Sequence, residues 1–305
     1  MIIPKKLNQA ITRFNARGEE KLFMIKAAEE ILEKIEETTV GNPVEVYEAA
    51  RHLLGRGKLL RGILVMLINR VYNFHRKEKA LKLATAIELL HTASLIHDDI
   101  IDEAKIRRGV ETVHKRYHLN VAIVSTDLLI SIAYNLCADL GEKAIKMVSE
   151  AGRRMSEAEV LECIVEDPNL NDYFKIVDGK SSALIEAACA SSAIISKARE
   201  DEILAFKRYG ELIGEVLQIR DDMLDYISSE EMTGKSNPLV HSLKRINIID
   251  ILKNEKKLTR DKALAEANEL GKKLADKASD EVMFVELKKR GIFKEFVKFI
   301  FERTY

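Results

Sequence analysis

The stretch KEKALKLATAIELLHTASLIHDDIID, residues 77–102, decides the fold. It contains neither proline nor glycine. Its middle is apolar nearly all round, which predicts a long helix at the centre of a helical bundle. The same helix ends in charge. Asp98, Asp99 and Asp102 close it, and Arg107 and Arg108 follow within the length of one or two helical turns. Residues i and i+4 share a helix face, so Asp98 and Asp102 are expected to project together while Asp99 leans away. Two carboxylates held side by side repel unless a cation sits between them. A hard divalent ion such as Mg2+ takes oxygen ligands of this kind, often one or two carboxylates together with phosphate.

One acidic cluster is explained equally well by a solvated helix end. Here the pattern recurs. LIGEVLQIRDDMLDYI, residues 212–227, places Asp221, Asp222 and Asp225 in the same order after an apolar helical run. The recurrence favours metal. Two such helices facing each other across a bundle would gather two or three Mg2+ ions around a diphosphate. Arg107 and Arg108 alone could simply neutralise the nearby acids. GRGKLLRG, residues 55–62, adds Lys58 and Arg61, three apart and expected on one face of a helix start. Arginine offers a planar fork matched to phosphate, and lysine a mobile point charge. This chemistry suits two anionic substrates meeting beside an apolar cavity. His91 and His97 sit in the long helix, where a histidine is more often a satisfied core residue than a ligand.

The rest of the chain agrees with a helical reading. Its 305 residues are enough for one large domain or two. Only four prolines and 14 glycines interrupt it, and alternating strand patterns are scarce. EEKLFMIKAAEEILEKIEE (19–37) is amphipathic, residues 42–74 read as two helices split near Gly55–Gly57, and a further long helix is expected over about 199–227. No composition shift marks a linker. We expect one all-α domain over 1–305, a helical bundle around a central cavity. Residues 121–140 are long and apolar but carry Asp127, Asn135 and Asp139, so a buried core helix is expected there and no membrane span.

Lys plus Arg and Asp plus Glu both number 49, so no net field draws the protein to nucleic acid or an anionic membrane. Three separate cysteines build no disulfide framework, and the N-terminus lacks a signal-peptide pattern; a cytoplasmic setting is expected.

Five segments, in order and spacing, carry a resemblance: GKLLR, ELLHTASLIHDDIIDEAKIRRG, DGKSSALIEAA, IGEVLQIRDDMLD and TGK. Together they resemble the trans-type (E-type) prenyl diphosphate synthases over roughly Val44 to Asn247. The resemblance implies the all-helical isoprenoid synthase fold, usually in a homodimer, and a Mg2+-dependent prenyltransferase. That enzyme would join isopentenyl diphosphate to an allylic prenyl diphosphate. By the resemblance, Asp98, Asp102 and Asp221 would hold Mg2+, with Asp99, Asp222 and Asp225 acting mostly through water. Lys58, Arg61, His91 and Arg108 would hold isopentenyl diphosphate. Arg107, Lys180 and Lys235 would grip the allylic diphosphate. Gln218 would lie near the reacting carbons, and Ser181 stands where the family usually has threonine.

The chain departs from the family pattern at several places. Leu59 and Gly62 replace Arg and Pro, Glu111 replaces Pro, and Ala158 and Glu159 stand where Gly-Gln is common. Val240 and Arg245 stand near an expected Asp and Lys. These departures keep open a non-catalytic partner in a hetero-oligomeric synthase. A class I terpene cyclase is a further alternative, but it would leave Lys58, Arg61 and Arg108 without a role. In this family the product grows along the helix bearing the first cluster. Ala93 and Ser94 form a small gate, followed by Leu90, so a product of geranylgeranyl length or longer, up to about octaprenyl, is expected. The plainer alternative is that these are packing residues.

Overall fold

A computed structural model describes residues 5–233 and 246–303. The helices, in chain order, are α1 Lys5–Arg13, α2 Gly18–Thr38, α3 Val44–Arg51, α4 Leu60–Val71, α5 Lys77–Ile101, α6 Val113–Arg116 and α7 Leu119–Cys137. Then follow α8 Glu142–Ile164, α9 Leu170–Val177, a π-helical turn Asp178–Ser182, α10 Ala183–Ile195, α11 Glu200–Thr233, α12 Ile248–Lys256, α13 Arg260–Glu281 and α14 Leu287–Glu302. The chain forms two compact units: Met1–Val148 with Ala188–Arg199, and Ser149–Ala187 with Glu200–Tyr305.

In the first unit α5 is the central element. Leu83 through Leu90 are buried without interruption, as its all-round apolar sequence requires. It packs most extensively against α7 and α4, and also against α2. Burying eight successive positions leaves no solvent face in this part of the helix, so the single charge among them, Glu88, must find a partner inside.

Helix α7 differs from the expected core helix. Ala122, Ser125, Thr126, Leu129, Ala133 and Leu136 are buried, but Leu119, Ile123 and Val124 are 48%, 44% and 54% exposed. The run Leu119–Leu140 is long and apolar enough to cross a membrane, and less than half of its most apolar part is buried. The high apolar content belongs to two faces, only one of which is packed within the unit.

A short hairpin was not apparent in the sequence. Strands β1 (Ile106–Arg107) and β2 (Val110–Glu111) pair antiparallel, with Ile106 opposite Glu111 and Arg107 opposite Val110. Arg108 and Gly109 form the two-residue turn, at φ 52° and 80°. Positive φ at both central positions is the hairpin turn whose twist matches the strands. The arginines therefore do not continue the helical spacing of the aspartates.

The second unit is organised by α11, which packs on α13, α14 and the π turn. Gly214 of α11 has its Cα where a Cβ would collide with the Ser182 backbone, so only glycine lets the two segments approach this closely. This contact fixes α11 against Lys180 and Ser181, which the π turn carries.

Candidate active site

In the first cluster the two aspartate faces separate as helix geometry dictates. Asp98 and Asp102 are part-exposed, while Asp99 is fully buried. Arg107, turned back by the hairpin, donates through Nε to Asp99 Oδ1. The other oxygen, Oδ2, is buried without a partner. Burial pushes the Asp99 carboxyl up, and Arg107 pulls it partly back.

The basic residues gather in the same unit. Arg61 lies in the first turn of α4, and Lys58 in the loop before it, because the intervening Leu59 is left-handed at φ 49°. The two are thus not on one continuous helix face. Arg61 Nη1 lies 3.1 Å from His91 Nε2. A guanidinium only donates, so Nε2 is the acceptor and the ring proton sits on Nδ1. Burial, then Arg61, Arg108 and Arg107, hold the His91 pKa well below its ordinary value. His91 is neutral, a hydrogen-bonding group and not a charge.

Glu88, which the sequence reading passed over, is the counter-charge. It is 5% exposed and accepts from the Gly62 N–H at 2.8 Å. Burial raises its pKa; the Gly62 amide, Arg61 and Arg108 oppose that rise. Gly62 is one of the departures noted above, and a proline there would have no N–H to give. Glu88 is one turn before His91 and the only charge in LATAIELL, the signal that could have marked it. Arg108 donates to Leu53 O at 3.0 Å, and its guanidinium lies so close to Gly57 that a Cβ there would be 2.8 Å from Nη2.

The second unit repeats the acidic pattern. Asp221 is part-exposed and Asp225 exposed, at i and i+4, while Asp222 is 4% exposed. Asp222 Oδ1 accepts from Gln218 Nε2 at 2.7 Å, and Oδ2 from Tyr173 OH at 2.8 Å and Ile248 N at 3.1 Å. Burial pushes its carboxyl up to about 7 against the pull of these donors. Ser181 Oγ donates to Gln218 Oε1 at 2.6 Å. Gln218 is therefore locked at both ends by residues of the π turn and the acidic cluster.

Lys180 lies 2.8 Å from Glu159 and also pairs with Glu162. Arg154 ties Asp178 to Glu186, bracing the π turn at its first residue. Asp221 pairs with Arg303 near the chain end. Lys235, like Gly234, Val240 and Arg245, lies outside the described residues. Among the described residues no three metal-ligating side chains converge in one group. Ala93, at the expected gate, is 1% exposed and Leu90 7%. Ser94 is half-buried, with its Oγ donating to His91 O at 2.9 Å.

Comparison with known proteins meets this geometry. The polyprenyl synthetase family model matches residues 43–281. The chain is 31% identical over 268 residues to a short chain isoprenyl diphosphate synthase of Methanocaldococcus jannaschii, covering 79% of this chain and 81% of that one. It is 35% identical over 217 residues to a geranylfarnesyl diphosphate synthase of Aeropyrum pernix, covering 67% and 68%. A solved geranylgeranyl pyrophosphate synthetase of Pyrococcus horikoshii superposes with a TM-score of 0.80 at 29% identity, over 94% of this chain and 100% of that one. With its all-α isoprenoid synthase fold and both acidic clusters, the chain belongs to the polyprenyl synthetase family and is a prenyltransferase that makes trans-prenyl diphosphates.

Proposed function

We propose that the enzyme condenses isopentenyl diphosphate with an allylic prenyl diphosphate, using Mg2+. The observation that carries this reading is the shared construction of the two acidic clusters. In each, the middle aspartate is buried against protein partners, while the first and last keep solvent access one turn apart. A pair of carboxylates that does not enclose the ion suits Mg2+, which retains waters and takes substrate phosphate oxygens. The buried Asp99 oxygen without a partner adds an acceptor behind the first pair.

In this reading Asp98 and Asp102 bind Mg2+ with the allylic diphosphate, and Asp221 holds a further ion, for a total of two or three. Asp99, Asp222 and Asp225 act at one remove, the first two as anchored carboxylates that aim their neighbours. Lys58, Arg61 and Arg108 hold the diphosphate of isopentenyl diphosphate, with neutral His91 as a hydrogen-bonding partner. Arg107, Lys180 and Lys235 grip the allylic diphosphate. Mg2+ held by Asp98, Asp102 and Asp221 would supply positive charge against the departing diphosphate. Lys180 and Arg107 add fixed positive charge where the leaving group develops its own. Gln218 and Ser181 present oxygen dipoles near the positive carbon. Isopentenyl diphosphate then adds its alkene carbon, and the released diphosphate accepts the proton.

The buried small side chain of Ala93, followed by Leu90, supports a product of geranylgeranyl length or longer, up to about octaprenyl. The exposed apolar strip of α7 supports a homodimer in which a second copy covers Leu119, Ile123 and Val124. Asp127 on the same helix and the packing of its other face favour a cytoplasmic enzyme over a membrane span. Incubating the purified protein with Mg2+, isopentenyl diphosphate and separate allylic primers, then sizing the products, tests the reading. An Asp98→Ala variant of full activity would overturn the metal assignment.

A further inference from the structure

Away from the residues assigned to catalysis, the first unit holds an open pocket of about 600 Å³, within the range of small-molecule sites. Three arginines reach it from separate segments: Arg51 from the end of α3, Arg56 from the following loop and Arg116 from the end of α6. Glu36 and Glu48 share the wall, so three arginines line it with two glutamates. Among the described residues, none of the three arginines has a carboxylate within 4.0 Å. Arg56 Nε donates to His52 O at 2.8 Å, and Arg116 lies 5.5 Å over the Tyr117 ring. By contrast, Arg107, Arg153 and Arg154 all carry carboxylate partners. Arginines that line one pocket in excess of its carboxylates, none of them in an ion pair, favour a ligand with several anionic oxygens, and their forks match phosphate.

The pocket is physically joined to the basic cluster. His52 Nε2 lies 2.7 Å from Glu111 O on β2, and Val110 of the same strand lines the wall. Arg108, at the turn of that hairpin, hydrogen-bonds Leu53 O and lies against Gly57. The segment 52–58 thus both lines the pocket and contacts the Arg108 guanidinium.

We propose that this pocket is a second, metal-independent binding site for a diphosphate group, acting on the Lys58–Arg61–His91–Arg108 cluster through segment 52–58. The test is calorimetric titration of the Mg2+-free protein with inorganic diphosphate. The variants are Arg61→Gln, Arg56→Gln, and the triple Arg51→Gln/Arg56→Gln/Arg116→Gln. The wild type should take up one more equivalent than the triple variant. Arg56→Gln alone should weaken that event about tenfold, the worth of one charge-assisted contact. Arg61→Gln should retain it. Equal stoichiometry and affinity in the wild type, Arg56→Gln and the triple variant would overturn the proposal. So would an extra event that only Arg61→Gln abolishes. Repeating the titration with a short prenyl diphosphate separates two sources. Equal affinity identifies free diphosphate as the ligand, and tighter binding identifies the ester.

Discussion

Lys180 Nζ lies 2.8 Å from a Glu159 carboxylate oxygen, and Glu162, three residues on, pairs with the same ammonium. Glu159 is one of the departures from the family pattern noted above, so one of the two negative charges on Lys180 comes from that departure. In the proposed reaction an allylic diphosphate would compete with both carboxylates for the lysine. Glu159→Gln removes one competitor and keeps the hydrogen-bonding shape. Its KM for the allylic substrate should fall about fivefold, with kcat little changed, in line with about 1 kcal/mol for a part-exposed ion pair. Glu162→Gln should not behave alike, because Glu162 Oε1 also accepts from the Ile246 amide at 3.3 Å. Steady-state kinetics on both variants check this, and an unchanged KM for Glu159→Gln would refute it.

Arg303 occupies Asp221 in the same manner. Its guanidinium pairs with that carboxylate and also reaches Leu217 O at 3.3 Å, while Arg220 Nε donates to Arg303 O at 2.9 Å. A cation bound to Asp221 meets a resident positive charge. Arg303→Gln should therefore lower the Mg2+ concentration at the midpoint of a diphosphate-dependent thermal shift, by about two- to fivefold. A higher midpoint would mean that Arg303 assists the ion instead.

Glu215 provides the pH dependence. Burial, and then Glu211, push its carboxyl up to about 7 from an ordinary value of 4.5, while Arg208 and Lys277 oppose the shift. A carboxyl raised on folding contributes stability that is complete below its unfolded pKa and is lost as pH rises through the folded one. Between pH 5 and pH 8.5 this one group should cost roughly 1–3 kcal/mol. Thermal unfolding of Glu215→Gln across that window should show a smaller decline than the wild type, and parallel curves would reject the assignment.

Ala93 is 1% exposed in α5, one helical turn after Leu89 and Leu90. Ala93→Phe fills space that the product is proposed to use. The product distribution should shorten by about one or two isoprene units, because each helical turn rises about 5.4 Å. Overpacking should also cost about 1–3 kcal/mol of stability. Chromatographic sizing of the products reads the first effect and thermal unfolding the second. Destabilisation with an unchanged product would assign Ala93 to packing alone.

The sequence by itself determined the helices and the chemistry. The uninterrupted apolar run ending in Asp98 and Asp102, and its echo at Asp221, are local patterns governed by helix periodicity: α5 carries the first as far as Ile101, with Asp102 as its C-cap, and α11 contains the second. The resemblance to the family also rested on sequence alone, on five motifs in order along the chain. Partner choice did not. The turn at Arg108–Gly109 sends Arg107 back to Asp99, and Gly62 gives its amide to Glu88. Lys180 takes two glutamates, and Gly214 brings Gln218 to Ser181. Each of these joins residues through a backbone reversal or a close helix approach, which periodicity does not encode. Burial then set the charges: neutral His91 and the raised carboxyls of Glu88 and Asp222 depend on how far packing removes water, a property only the tertiary structure decides.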